Sequence, residues 1–443
     1  MRLRLSILAF ALPLLSAPTW LAAQSTRALS LGEAIQLAAD QGAPAQAARA
    51  RAAQADARVR QRRADLLPNL SAVALRSGRQ FNTATLGFDF KGPDGQSFFN
   101  PRGIVLGPVN TVDLRARLSQ SIVDFGALGR VRAASAGAQA TELDVDIAAE
   151  QSAVAAALAY ARVARGEAQV QARASDSTLA AELLTIAQDQ LTAGVGIALD
   201  VTRARSQLAT IRAQLIAARN ERDRARLELQ RALSLPADSD VALTDSLAGL
   251  VGRDLGVGDG GTTTRRPELK SLDAQRTALD GQVRATQLER LPVLSAFGDH
   301  GPIQGAGGAY LATYTFGIQL AVPIFDGFRR EGRLEEEHAQ QREIDIRRHD
   351  LEQQVQLDIK SATLDLSSAT EQTAAARERL VLADQEVAQA RDRFRAGVAG
   401  NGDVVTASLS LGLARTQLVD AMASQLNARI ALARARGTAR HLR

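Results

Sequence analysis

The 443-residue sequence contains no cysteine. Disulfides, thiolate metal sites and an N-terminal lipid-bearing cysteine are therefore excluded. Histidine is scarce, with only His300, His338, His349 and His441. His338 and His349 fall on one helical face but eleven residues apart, about 16 Å along a helix, which is too far to share a metal. No GxSxG, HExxH or Walker-type sequence occurs. One GxGxxG match, Gly256 to Gly261, sits in a Gly/Thr-rich stretch with no strand before it and no acidic partner, so it reads as chance. Acidic pairs such as Asp238/Asp240 read as turn residues. No catalytic, cofactor-binding or metal site is expected, and the chain does not read as an enzyme. After the N-terminal segment no run approaches the roughly 20 apolar residues of a membrane helix. The net charge of +5 owes two units to Arg2 and Arg4. The remaining arginines are interspersed with Asp and Glu rather than blocked together, so nucleic acid is not an expected partner.

What is present begins with an export signal. Arg2 and Arg4 form a basic start, Ser6 to Leu15 is apolar apart from Pro13, and Leu21-Ala22-Ala23 precedes Gln24. Residues 1–23 are expected to direct the chain out of the cytoplasm and to be removed.

A thirteen-residue pattern then occurs twice, as DQLTAGVGIALDV (189–201) and DRFRAGVAGNGDV (392–404). Six positions are identical: Asp189/Asp392, Ala193/Ala396, Gly194/Gly397, Val195/Val398, Asp200/Asp403 and Val201/Val404. Gly194 and Gly397 suit the left-handed residue that closes a helix, and Asp200 and Asp403 suit the cap of the next. Each copy therefore reads as a tight turn between two antiparallel helices, and the chain as a duplication. Long helices are expected at about Leu128–Leu191 and Arg329–Phe394, with return helices at about Asp200–Leu233 and Asp403–Arg436. Leu351, Val355, Ile359, Leu380, Val387 and Phe394 recur at spacings of four and seven, a narrow seam for a neighbouring helix. The repeat extends to the flanks, as Leu66-Leu67-Pro68-Asn69-Leu70-Ser71-Ala72 against Arg290-Leu291-Pro292-Val293-Leu294-Ser295-Ala296. Leu31 to Leu66 is expected to be one helix, matched by a second from Arg266-Pro267 to Pro292, while Pro236 to Asp259 is expected to be irregular. The boundaries expected are a first repeat over 24–250, a linker over 251–264 and a second repeat over 265–443.

After each proline the period changes to two. Val112, Leu114, Ala116 and Leu118 alternate with polar residues, and Tyr314, Phe316, Ile318 and Leu320 do the same. Strands of about ten residues with one apolar face suit a transmembrane barrel. Shorter partner strands after Pro68 and Pro292 would complete two hairpins, one with a long loop over roughly Ser77–Asn110, the other with a short loop around His300–Ala309. Of the fourteen Phe and Tyr residues after the signal, twelve lie within these hairpin regions, and only Tyr160 and Phe394 lie outside. Leu114, Leu118, Tyr314, Phe316 and Ile318 are the residues expected to face lipid. Four strands cannot close a barrel, and lipid does not tolerate an open edge, so several chains must share it.

The signal, the duplicated helix–strand–strand–helix–helix order and the paired AGV…DV turns together resemble the TolC-type outer membrane efflux family, over essentially the whole chain after the signal. The resemblance implies a mainly α fold with a transmembrane β-barrel part: a homotrimer with a long periplasmic α-barrel and four strands per chain in a shared 12-stranded barrel. It implies an exit duct of the cell outer membrane for efflux or type I secretion, with a periplasmic adaptor protein and an inner-membrane pump as partners and no cofactor. The two turns would be the periplasmic tips, with Gly194, Val195, Gly397, Val398 and Phe394 meeting the adaptor. Asp200 and Asp403 match the family's tip aspartates and are candidates for a pore gate. Family members often place an aromatic and an arginine near the second tip. Here Phe394 lacks the hydroxyl, and Ala399 stands where the arginine would be. The alternative is a periplasmic coiled-coil adaptor or scaffold with no membrane span, which would have no use for lipid-facing aromatic strands.

Overall fold

The computed structural model describes residues 27–86, 93, 102–236, 238–256, 266–304, 308–396, 398 and 400–443. The expected signal, Gly397, Ala399 and most of the GxGxxG stretch lie outside the described residues.

Each half contributes one strand hairpin and one long helical hairpin. The first half runs β1 (Arg27–Leu29), α1 (Leu31–Gln41), α2 (Ala43–Ala64), β2 (Asn69–Asn82), β3 (Val105–Val123), α3 (Phe125–Thr192) and α4 (Ala198–Ala232). A bridging segment, β4 (Val241–Leu243) and α5 (Leu247–Gly252), precedes the second half. That half comprises α6 (Pro267–Leu288), β5 (Val293–Gln304), β6 (Tyr310–Ala321), α7 (Arg329–Arg395) and α8 (Asn401–Arg436). With 68 residues in α3 and 67 in α7, each long helix spans about 100 Å at 1.5 Å per residue. Alanine lets them pack closely. A Cβ built at Gly129 would lie only 2.7 Å from the Ala285 Cα, so α3 and α6 touch there through nearly bare backbone.

Of the seam expected on α7, Val355, Val387 and Phe394 are buried, while Leu351, Ile359 and Leu380 are only half-buried. Val355, Ala362, Ala369 and Ala383 are buried at heptad intervals, joined by Val387 and Phe394. Small residues at such a seam set a close helix–helix distance with little apolar area per contact. Most of the apolar burial is instead concentrated partway along the helices. There Leu31 and Ile35 of α1, Tyr160 of α3, Leu229 of α4, Leu247 and Leu250 of α5, and Leu426 and Ile430 of α8 form the largest buried cluster.

Three expectations need correction. The stretch 31–66 is two helices. Pro44 has no N–H to offer the Asp40 carbonyl, Gly42 takes an extended conformation (φ −58°, ψ 137°), and Arg49 donates to the freed carbonyl instead. The segment after Pro236 is not wholly irregular, since β4 pairs in parallel with β1, Arg27 opposite Val241 through Leu29 opposite Leu243. Three-residue strands carry too little periodicity to be read from sequence. Finally, the strands are longer and the loops shorter than expected: β2 runs to Asn82, β3 begins at Val105, and β5 runs to Gln304.

The buried Tyr160 hydroxyl links this bridge to the long helix. It lies 2.9 Å from the Leu29 carbonyl and 3.0 Å from Asp245 Oδ2, while the Leu31 N–H donates to the same carboxylate. Burial, then the Asp245 charge, raises the Tyr160 pKa, so the hydroxyl stays a donor.

Candidate functional site: the strand face and the helical tips

The four long strands form one antiparallel sheet in the order β2-β3-β5-β6. Side chains alternate across a strand, so the register sorts them into two faces. Leu70, Leu118, Gly298 and Phe316 stand side by side in one row, and Ala72, Ala116, His300 and Tyr314 in the next. The opposite face carries Ser71, Arg117, Asp299 and Thr315. There Arg115 donates to Asp113 and to Asp299, both at 2.7 Å, bridging β3 and β5. On the apolar face Tyr314, Phe316 and Ile318 are 71%, 78% and 72% exposed, and Leu114 and Leu118 are exposed as well. The apolar surface continues past the sheet through Ile324, Phe325 and Phe328, all exposed, with the two phenylalanines edge to face at 5.5 Å. Among the described residues nothing covers this face, and β2 and β6 each leave one edge unpaired.

At the far end of the helical hairpins the first turn closes by a Schellman pattern. Val195 N–H donates to the Gln190 carbonyl at 3.0 Å and Gly194 N–H to the Leu191 carbonyl at 3.1 Å, with Gly194 left-handed at φ +72°. The second tip repeats the wider bond, from Val398 N–H to the Arg393 carbonyl at 3.0 Å. Val195, Ile197 and Val398 are exposed, leaving an apolar tip surface.

The aspartates do not cap. α4 starts at Ala198 with Ile197 as its cap, and α8 starts at Asn401 with Gly400 as its cap, neither with a side-chain cap bond. Asp200 and Asp403 sit one turn inside their helices, where a carboxylate still gains from the helix dipole. Asp200 is partly buried, with Arg203 at 3.9 Å, whereas Asp403 is exposed. The turn before Asp403 is also less open than its glycines suggest, because Asn401 is completely buried.

Two residues that sequence reasoning passed over tie the tips together. Gln190 Nε2 donates to the Phe394 carbonyl at 2.9 Å, and Asn401 Nδ2 donates to the Asp200 carbonyl at 2.9 Å. Both acceptors are backbone atoms, which leave no mark in the sequence. The Phe394 ring, 3% exposed, packs between hairpins with Leu183 of α3 and Val404 of α8. Farther along, Arg415 of α8 donates to the buried Asp176 of α3 at 2.7 Å. Among the described residues no group of three or more His, Asp or Glu side chains is placed to hold a metal ion, and no helix is long and apolar enough to cross a membrane.

Comparisons with known proteins give this geometry its context. The sequence model of the outer membrane efflux protein family matches residues 34–234 and 262–438, most of the chain. No curated protein matches. Among solved structures, the chain is similar to the outer membrane protein VceC of Vibrio cholerae, at TM-score 0.69 and 19% identity over 92% of this chain and 96% of that one. A membrane protein from Pseudomonas aeruginosa aligns at TM-score 0.74 and 19% identity, covering 92% and 93%. The CmeC outer membrane channel of Campylobacter jejuni aligns at TM-score 0.71 and 19% identity, covering 92% and 86%. At such identities the likeness establishes the fold, a duplicated helical barrel with a β part, while the family match reaches further. The chain belongs to the outer membrane efflux protein family, and it is an efflux channel rather than a periplasmic scaffold.

Proposed function

We propose that three copies of this chain form one exit duct, with the strands in the outer membrane and the helices in the periplasm. The observation that carries this reading is the uncovered sheet. Its apolar face and two unpaired edges are stable in lipid only if further copies complete a closed barrel, and three copies of four strands make twelve. Residues 1–23 act as the export signal, and the two repeats, 24–250 and 265–443, are joined by the linker 251–264. Polar side chains such as Arg115, Arg117, Asp113 and Asp299 face the barrel lumen, and Leu114, Leu118, Tyr314, Phe316 and Ile318 face lipid.

The exposed tip around Val195 and Val398, with Gly194 at its first turn, meets a periplasmic adaptor that links the duct to an inner-membrane pump. Phe394 supports that surface from beneath, as a buried prop. Asp200 and Asp403 approach the narrow end of the pore and act there as a ring of carboxylates. Such a system serves tripartite efflux or type I secretion.

The strand face tests the membrane part. Phe316→Arg or Leu114→Arg places a cation in lipid at about 2–4 kcal/mol near the midplane, so outer membrane assembly should fail. Thr315→Arg, on the lumen face, should be tolerated. Equal behaviour of the two kinds of variant in membrane fractionation would overturn the assignment of faces.

A further inference from the structure

Just below the sheet, a concave groove of about 640 Å³ runs between the end of α2 and the start of α3 and is closed on its far bank by α6. Arg58, Arg62 and Arg130 line it, with Asp65 as its only carboxylate and Ala134 and Ala138 in its floor. Arg130 is engaged by Glu289 at 3.2 Å and Asp124 at 3.5 Å. Among the described residues Arg58 and Arg62 have no ion-pair partner. These two lie four residues apart on one helix, where like charges repel. Two guanidinium groups without an ion-pair partner thus stand over a strip of small residues, Ala133, Ala134 and Ala138, with Gln61, Thr141 and Gln282 completing a mixed polar and apolar lining.

The periodicity of α3 tells which way the groove opens. Phe125 and Leu128, both exposed, continue the lipid-facing surface of the sheet. At 3.6 residues per turn, Arg130, Ala134 and Ala138 fall on the opposite side of the helix. On α2 the same count separates Arg58 and Arg62 from Arg60 and Arg63, which face the other way. The groove therefore lies on the side of α3 away from Phe125 and Leu128, which on the duct reading is the inside of the tube.

We propose that this groove is a luminal binding site for small amphipathic organic anions, carboxylates or sulfonates with a flat apolar body. The proposal rests on the duct reading above and adds the chemical class of a passenger. Arginine keeps its charge at any physiological pH and grips planar oxyanions through two parallel N–H bonds, while the alanine floor receives the apolar body. A single shallow site of this kind holds its ligand weakly, as conduction requires.

The test uses the purified full-length protein in planar bilayers, with naphthalene-1-sulfonate as the probe. The wild-type current should be blocked in a concentration-dependent way. In the Arg58→Gln/Arg62→Gln variant the block should weaken about fivefold or more, the effect of losing roughly one solvated charge contact. Folding should hold, because the substitutions relieve a like-charge contact. Arg60→Gln/Arg63→Gln removes the same net charge from the other flank and should leave the block unchanged. Equal weakening in both variants would reduce the effect to net charge and overturn the proposal, as would no weakening in either. An effect confined to Arg60→Gln/Arg63→Gln would also overturn it, pointing instead to anionic lipid outside the tube. A wild-type protein that carries no current would count against the duct reading itself.

Discussion

The two tips share a thirteen-residue pattern and the same closing backbone bond, yet they are fixed in place differently. In the first, Leu191 is 40% exposed; at the matching position of the second, Phe394 is 3% exposed and packed on α3. Asn401 is buried and reaches the backbone of the first tip, while its counterpart Ala198 is exposed and reaches nothing polar. Gln190 sends an amide to the second tip, and its counterpart is Arg393. Duplication has thus kept the turn while the ties differ, since Gln190 of the first tip donates to the second and Asn401 of the second donates to the first, at positions whose counterparts make neither bond. Both tips present a valine outward, and only the second buries its large apolar residue, Phe394, against the neighbouring hairpin.

The largest effect should come from the buried ring. Phe394→Ala should cost about 3–5 kcal/mol locally through the cavity it leaves, loosening the second tip while the distant strands remain assembled. Leu191→Ala should cost well under that, since its side chain is largely solvated. Hydrogen exchange at the two tips would show the asymmetry, and equal protection losses would break the comparison.

Next comes Gly194. Nothing lies within 4 Å of a Cβ added there, so the cost of Gly194→Ala is backbone alone, about 1–2 kcal/mol for a left-handed residue. Gly194→Val adds β-branching and should abolish efflux while leaving oligomers in the outer membrane. Loss of the oligomer would show that the turn serves assembly.

Asn401→Ala removes one hydrogen bond, about 1 kcal/mol, and Asn401→Asp should cost more, because it buries a charge against the Asp200 carbonyl. Ala198→Asn, the converse change, should be neutral in thermal denaturation. A cost at Ala198 equal to that at Asn401 would remove the asymmetry between the two positions.

The smallest stability effects belong to the aspartates. Asp403→Asn loses a helix-dipole contribution of about 0.3–1 kcal/mol, and Asp200→Asn loses the same together with its weak contact to Arg203. If the carboxylates ring the pore, the double variant should still lose cation preference in a bilayer. Unchanged selectivity would leave Asp200 and Asp403 as first-turn residues and nothing more.

Much of this architecture was legible in the sequence because its signals are periodic. The change from helical spacing to alternation at Pro68 and Pro292 located the sheet, and the AGV turns located the hairpin ends to within a few residues. Features without a period were not legible. The break at Gly42 depends on one missing N–H at Pro44, and β1 pairs with β4 across more than 200 residues of chain. The caps were misplaced because Asp is favoured both at a cap and in the first turn, so residue type alone does not separate the two. Gln190 and Asn401 were passed over because their partners are carbonyls, and the Arg58/Arg62 groove because α2 read only as a run of Ala, Arg and Gln.

The duct itself is tested most directly by its conductance. Protein extracted from the outer membrane should run as a heat-sensitive oligomer on a denaturing gel and, added to a planar bilayer, should open discrete ohmic steps. Recovery as a soluble periplasmic monomer that leaves the bilayer silent would contradict it.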